Sequence, residues 1–93
     1  MEVDSWRWEL AYDIAYFQYR ANPMMFDTLK GETFSQSLNR LAMSRYDALE
    51  KEPFGLLKSI RTADLRNRSH LDKDRRLLIA KFEKFLNKRM QRK

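Results

Sequence analysis

Seven cationic side chains fall within nineteen residues: Lys58, Arg61, Arg66, Arg68, Lys73, Arg75 and Arg76. Clustered Lys and Arg displace the counterions of a polyanion, and a phosphate contact carries no base information. The pattern predicts sequence-independent binding to nucleic-acid backbone, weakening steeply with salt. Lys58, Arg61 and Arg68 lie three and seven residues apart, so one continuous helix would present them on one face. Lys73, Arg75 and Arg76 sit where a further helix should begin. Cations there oppose the helix dipole at about 0.3–1 kcal/mol each, offset in part by Asp72 and Asp74. A charge arrangement that helix stability disfavours is better explained by a ligand. The competing explanation is a solvated surface laced with local ion pairs. Arg40 either extends the basic surface or pairs with an acid such as Asp47 or Glu50. Arg45, close to an apolar stripe, is expected to pair.

The cluster belongs to a wider asymmetry. Residues 1–50 hold five Lys/Arg and eight Asp/Glu, a net −3, and residues 51–93 hold fourteen and five, a net +9, giving +6 for the chain. A chain of 93 residues reads as one domain, 1–93. It buries only about 60–65% of its unfolded surface, so the two Trp, four Tyr and six Phe must supply much of its core. With no Cys and one His, His70, neither a disulfide nor a Cys/His metal centre is expected, and no cofactor is implied. Two Gly and two Pro are too few for an all-β fold. No apolar run approaches a membrane span. The opening Met1-Glu2-Val3-Asp4 is acidic, unlike a secretion signal or presequence, so the expected location is cytoplasmic and no membrane partner is expected.

The elements that must position these groups are helices. Asp4 or Ser5 caps the first, over 5–20, and Asn22-Pro23 ends it. Its apolar residues cover most of the circumference, as expected of a helix central to its domain or turned partly to a partner. Residues 24–29 suggest a short helical turn, with a break at Lys30-Gly31-Glu32. Thr33 or Ser35 starts the second long helix, carrying Phe34, Leu38, Leu41, Ala42 and Leu49 at 3–4 spacing to Lys51, with Pro53 as its stop. A third helix is expected over 54–68, a connector over 67–70, and a fourth helix from Leu71-Asp72 to Met90, with fraying beyond. The fold class is therefore all-α: a single small bundle of four main helices.

The aromatic run of the first helix is read mainly as core, with Trp6, Trp8 and Tyr16 as candidate protein contacts and base stacking as a lesser possibility. Asp13 has no second carboxylate at a fixed spacing, so general acid–base chemistry is not indicated. His70 lies in a polar connector and reads as a surface or capping residue. No nucleophile motif, Gly-rich phosphate loop or metal-ligand series occurs, and no enzyme activity is expected.

Two segments carry a family resemblance. WRWELAYDIAY, residues 6–16, resembles a helix in the C-terminal helical domain of the large subunit of type III and type I-D CRISPR complexes. There a basic or aromatic residue precedes Leu-Ala-Tyr, an aliphatic residue and Ala. DRRLLIAKFEKFLNKR, residues 74–89, resembles that domain's last helix. Where the family has an arginine after Leu-Ala-Tyr, this chain has Tyr16 or Phe17. The resemblance implies a non-catalytic small subunit of an RNA-guided effector complex. Such a subunit holds the backbone of the target or displaced DNA strand, supports R-loop formation, and touches crRNA, other subunits and further copies of itself. Two other readings remain open. One is a helical interaction module, a phage-encoded inhibitor or assembly chaperone docking through its aromatic helix. The other is a helix-turn-helix DNA reader, whose geometry the third helix matches poorly.

Overall fold

The computed structural model describes residues 4–25 and 29–90, without the side chains of Met25 and Met90. Four helices follow in order: α1 (Ser5–Ala21), α2 (Phe34–Lys51), α3 (Pro53–Arg61) and α4 (Asp72–Met90). Short 3-10 turns cover Pro23–Met25 and Ser69–Leu71. The described residues form no strand, so the fold is the all-α bundle expected. The turn expected over 24–29 is found only in part, since Pro23–Met25 shares two residues with it and Leu29 is not helical; residues 26–28 lie outside the described residues, as do 91–93, where fraying was expected.

Local chemistry explains the boundaries. The Asp4 carboxylate accepts from the N–H groups of Trp6 and Arg7 at 3.1 and 3.2 Å, capping α1. Thr33 and Gln36 form a reciprocal capping box at the start of α2. The Leu29–Glu32 turn before it needs a left-handed residue, supplied by Gly31 at φ 87°. Pro53 opens α3 immediately after α2 ends.

One expectation is corrected: α3 stops at Arg61 rather than 68. Continuing the helix would turn Leu65 about 140° away from Ile60, yet Leu65 is buried in the core beside Leu57 and Ile60. Ending at Thr62 lets residues 62–68 fold Leu65 inward, and the Asp64 carboxylate caps the N–H of Arg66 at 3.0 Å. Arg68 therefore does not share a helical face with Lys58 and Arg61.

The core lies between α1 and its three neighbours. Leu10, Ile14 and Phe17 of α1 pack with Leu49, Ile60, Leu71, Phe82 and Phe85. A smaller cluster of Ala15, Leu38 and Ala42, flanked by Trp8, Tyr12 and Leu41, joins α1 to α2. The molecule measures 41 × 34 × 17 Å.

Glu32 ties the turn to α2. Its carboxylate accepts from Leu29 N–H and the buried Ser37 hydroxyl, both at 2.8 Å, and from Arg40 at 3.1 Å. The Arg40 guanidinium foremost, then the Leu29 N–H and the Ser37 hydroxyl, hold the carboxyl at about 2, against an ordinary 4.5. Because the folded pKa lies below the unfolded one, this contribution is complete above about 4.5 and is lost as pH falls towards 2. Glu32→Gln should lower the thermal midpoint at neutral pH and flatten its decline over that acid range. An unchanged acid limb in a melting series would contradict this role.

Candidate nucleic-acid interface

The structure separates the cations into those spent inside the fold and those left at its surface. Arg75 belongs to the first group. It donates to Asp72 and the Ala63 carbonyl, both at 2.9 Å, and to the Arg61 carbonyl at 3.4 Å. It thus serves the C-terminal end of α3, where carbonyls lack helical partners. Arg76 pairs with Asp72 at 2.6 Å, Arg61 with Glu83 at 3.3 Å, Arg66 with Asp64 at 2.8 Å, and Arg40 with Glu32. Asp72 is the first residue of α4 rather than its cap, because the helix is entered through the Ser69–Leu71 turn. The Arg75 and Arg76 guanidiniums hold its carboxyl below the usual range, as Arg66 does for Asp64. The dipole conflict at the start of α4 is thus relieved mainly by acids and carbonyls of the chain itself.

Of the eight expected phosphate contacts, Lys58, Arg68 and Lys73 have side chains that bond to no described residue. Lys58 is exposed on α3, Lys73 is exposed near the start of α4, and Arg68 is half-buried beyond α3.

The charge split is also used between the halves. Lys81 of α4 reaches Glu9 at 2.9 Å and Asp13 at 2.5 Å on α1. Burial alone would lower the Lys81 ammonium, but the hydrogen bonds to Asp13 and Glu9 outweigh it and the pKa is raised. Arg20 of α1 meets Asp74 at 3.0 Å. Arg89 donates to the Leu49 and Glu50 carbonyls at 2.7 and 3.2 Å. The acid partner expected for Arg45 is not found among the described residues. Its guanidinium donates instead to the Gln18 amide at 2.6 Å and the Ser44 hydroxyl at 3.3 Å.

What remains outside is a ridge. At 100° per residue, Lys73, Arg76, Lys84 and Lys88 fall within about 120° of the α4 circumference, opposite Leu78, Phe82 and Phe85, and all four are exposed. Lys73 and Lys84 make no bond to a described residue, while the Lys88 ammonium rests over the Trp6 ring at 4.3 Å. Lys84 and Lys88 lie outside the basic cluster that the sequence singles out, because Lys88 belongs to a basic helix end that suits the dipole and Lys84 stands beside Glu83. Their phase relative to Lys73, eleven and fifteen residues on, was the available signal.

Two of the candidate protein contacts are taken up inside the molecule. Trp6 stands edge-on to Phe85 at 6.4 Å and Trp8 lies 6.0 Å from Tyr46. Tyr16 stays exposed, and with Leu77 it lines an open groove between α1 and α4. Among the described residues no three His, Cys, Asp or Glu gather as metal ligands, and no helix is long and apolar enough to cross a membrane.

Arg75→Met should cost about 1–3 kcal/mol in denaturant unfolding, because the Ala63 carbonyl loses its charged donor. Arg66→Met should leave the unfolding midpoint in place, since its partner Asp64 is exposed. Equal midpoints for the two variants would contradict this division. Comparison of the chain with protein-family models, curated proteins and solved structures gives no match.

Proposed function

We propose that this chain is a non-catalytic module that binds nucleic-acid backbone along the outer face of α4. The observation that carries this reading is the ridge of Lys73, Arg76, Lys84 and Lys88, on a chain of net charge +6. The acids flanking it among the described residues are Asp72, engaged by Arg75 and Arg76, Asp74, engaged by Arg20, and Glu83, engaged by Arg61. The ridge spans about 22 Å from Lys73 to Lys88 at 1.5 Å per residue. A positively charged track of that length neutralises a few consecutive phosphates and reads no base. The resemblance of residues 6–16 and 74–89 supplies a setting. The chain is a small subunit of a CRISPR effector complex that holds the target or displaced DNA strand during R-loop formation.

Anisotropy titration with labelled single strands of unrelated sequence tests the binding itself. With the three lysines each neutralising one phosphate, the log–log salt slope should be about −2, and Lys73→Gln with Lys84→Gln should bring it to about −0.7. Arg66→Gln should leave the slope in place. A flat salt response, or one unmoved by the α4 pair, overturns the reading. Purification free of guide RNA and effector subunits would leave backbone binding standing and remove the CRISPR setting.

A second reading, contact with another protein subunit or a second copy, is favoured by Tyr16 and Leu77, 44% and 62% exposed on the α1–α4 groove. Tyr16→Ser with Leu77→Ser should lower the particle mass in light scattering while leaving the salt slope unchanged. An unchanged mass at every concentration removes this reading.

A further inference from the structure

A cleft of about 450 Å³ opens between the C-terminal third of α1, the middle of α2, the end of α3 and residues 63–68. It lies away from the α4 ridge, and no ridge residue lines it. Two half-buried arginines do, Arg45 from α2 and Arg68 from the connector. Neither meets a carboxylate among the described residues. Arg45 is fixed by two neutral acceptors, Gln18 and Ser44, and the Arg68 side chain bonds to no described residue. The one acid in the lining, Asp64, is engaged by Arg66 through both oxygens, at 3.1 and 2.8 Å. Among the described residues, the site therefore holds two guanidinium charges with no internal counterion.

That arrangement is costly unless something answers it. Burial lowers the Arg45 pKa, but a guanidinium does not lose its proton at usable pH. The charge stays, partly stripped of water. The other described arginines all bond to carboxylates or helix-end carbonyls, so among the described residues the lack of such partners is specific to the cleft.

The geometry points to a binding site for a phosphate monoester, held between the Arg45 and Arg68 guanidiniums. A monoester carries about −1.5 to −2 near neutral pH, close to the charge the two arginines leave uncompensated, and offers three acceptor oxygens to their planar forks. Gln18 accepts from Arg45 through its amide oxygen, leaving its two amide hydrogens as donors. The Asn67 amide lines the same cleft, and Phe17 gives it an apolar wall. A cleft of this size fits a ligand of mononucleotide scale. Either a free nucleotide or the phosphorylated 5′ end of a strand would present this chemistry.

Calorimetric titration of the whole chain tests the site, using inorganic phosphate, a nucleoside 5′-monophosphate and the same nucleoside without phosphate. The phosphate-bearing ligands should bind and the bare nucleoside should not. Arg68→Gln and Arg45→Gln should each weaken binding about tenfold or more, the loss expected for a charge-assisted contact. Arg68 lies outside the helices, so its variant keeps the test valid if Arg45→Gln unfolds. The double variant Lys73→Gln with Lys84→Gln should bind the monophosphate as the parent does, which separates this site from the ridge. In that same background, a strand that binds only when 5′-phosphorylated identifies a strand end, whereas preference for the free monophosphate identifies a small molecule. Absence of phosphate binding, binding unchanged by Arg68→Gln, or loss of binding in the ridge variant overturns the proposal.

Discussion

Helices end in carbonyls that have no partner within the helix, and this chain has almost no glycine with which to turn them back. Its two glycines stand in the turn before α2 and inside α3, and neither follows a helix end. Arginines do that work instead. Arg75 reaches the Arg61 and Ala63 carbonyls at the end of α3, and Arg89 reaches Leu49 and Glu50 at the end of α2. Arg7 donates to the Tyr46 carbonyl one turn earlier. Arg75 and Arg89 of α4 thus clasp the ends of other helices, which fixes where α4 lies along them.

These contacts set register more than they set stability. Exposed ion pairs contribute about 0–1 kcal/mol each. More stability comes from burying Leu10, Ile14, Phe17, Phe82 and Phe85, at about 25 cal/mol per Å² of apolar surface. Rings alone do not choose how far one helix slides along another. Lys81 between Glu9 and Asp13 at one level, and Arg20 against Asp74 at another, define an antiparallel α1–α4 alignment that a shift by one turn would break at both places. The acidic first half and the basic second half are complementary surfaces of one molecule before they are surfaces for a partner.

This is why the fold was more legible than the site. Asp4, Thr33, Pro53 and the Gly31 turn act within a few residues of themselves, and the starts of α1, α2 and α3 follow from them. The end of α3 depends on where Leu65 goes, which is a tertiary question. The basic cluster failed as a single ridge for the same reason. Spacing places Arg61, Arg75 and Arg76 near one another, but only the folded chain brings Glu83 to Arg61 and turns Arg75 onto α3. Arg45 shows the reverse error. Its neighbourhood in sequence is acidic, yet in the fold it faces Gln18 and a cleft.

Setting the internally committed arginines aside also changes what the outer face of α4 can offer to the polyanion partner proposed for it. Base discrimination in a groove relies on planar donors such as the arginine fork meeting paired acceptors. On the α4 ridge the only arginine, Arg76, is already held by Asp72, and the other three cations are lysines. An ammonium on a flexible stem acts as a point charge, which suits phosphate and tolerates any sequence. The arginines that remain without acids among the described residues, Arg45 and Arg68, are instead withdrawn into a cleft, where fork geometry serves one compact anion. The fold therefore sorts its cations by chemistry: guanidiniums to carbonyls, carboxylates and the cleft, and mainly ammoniums to the open face. Any backbone recognition by that face has to be sequence-independent.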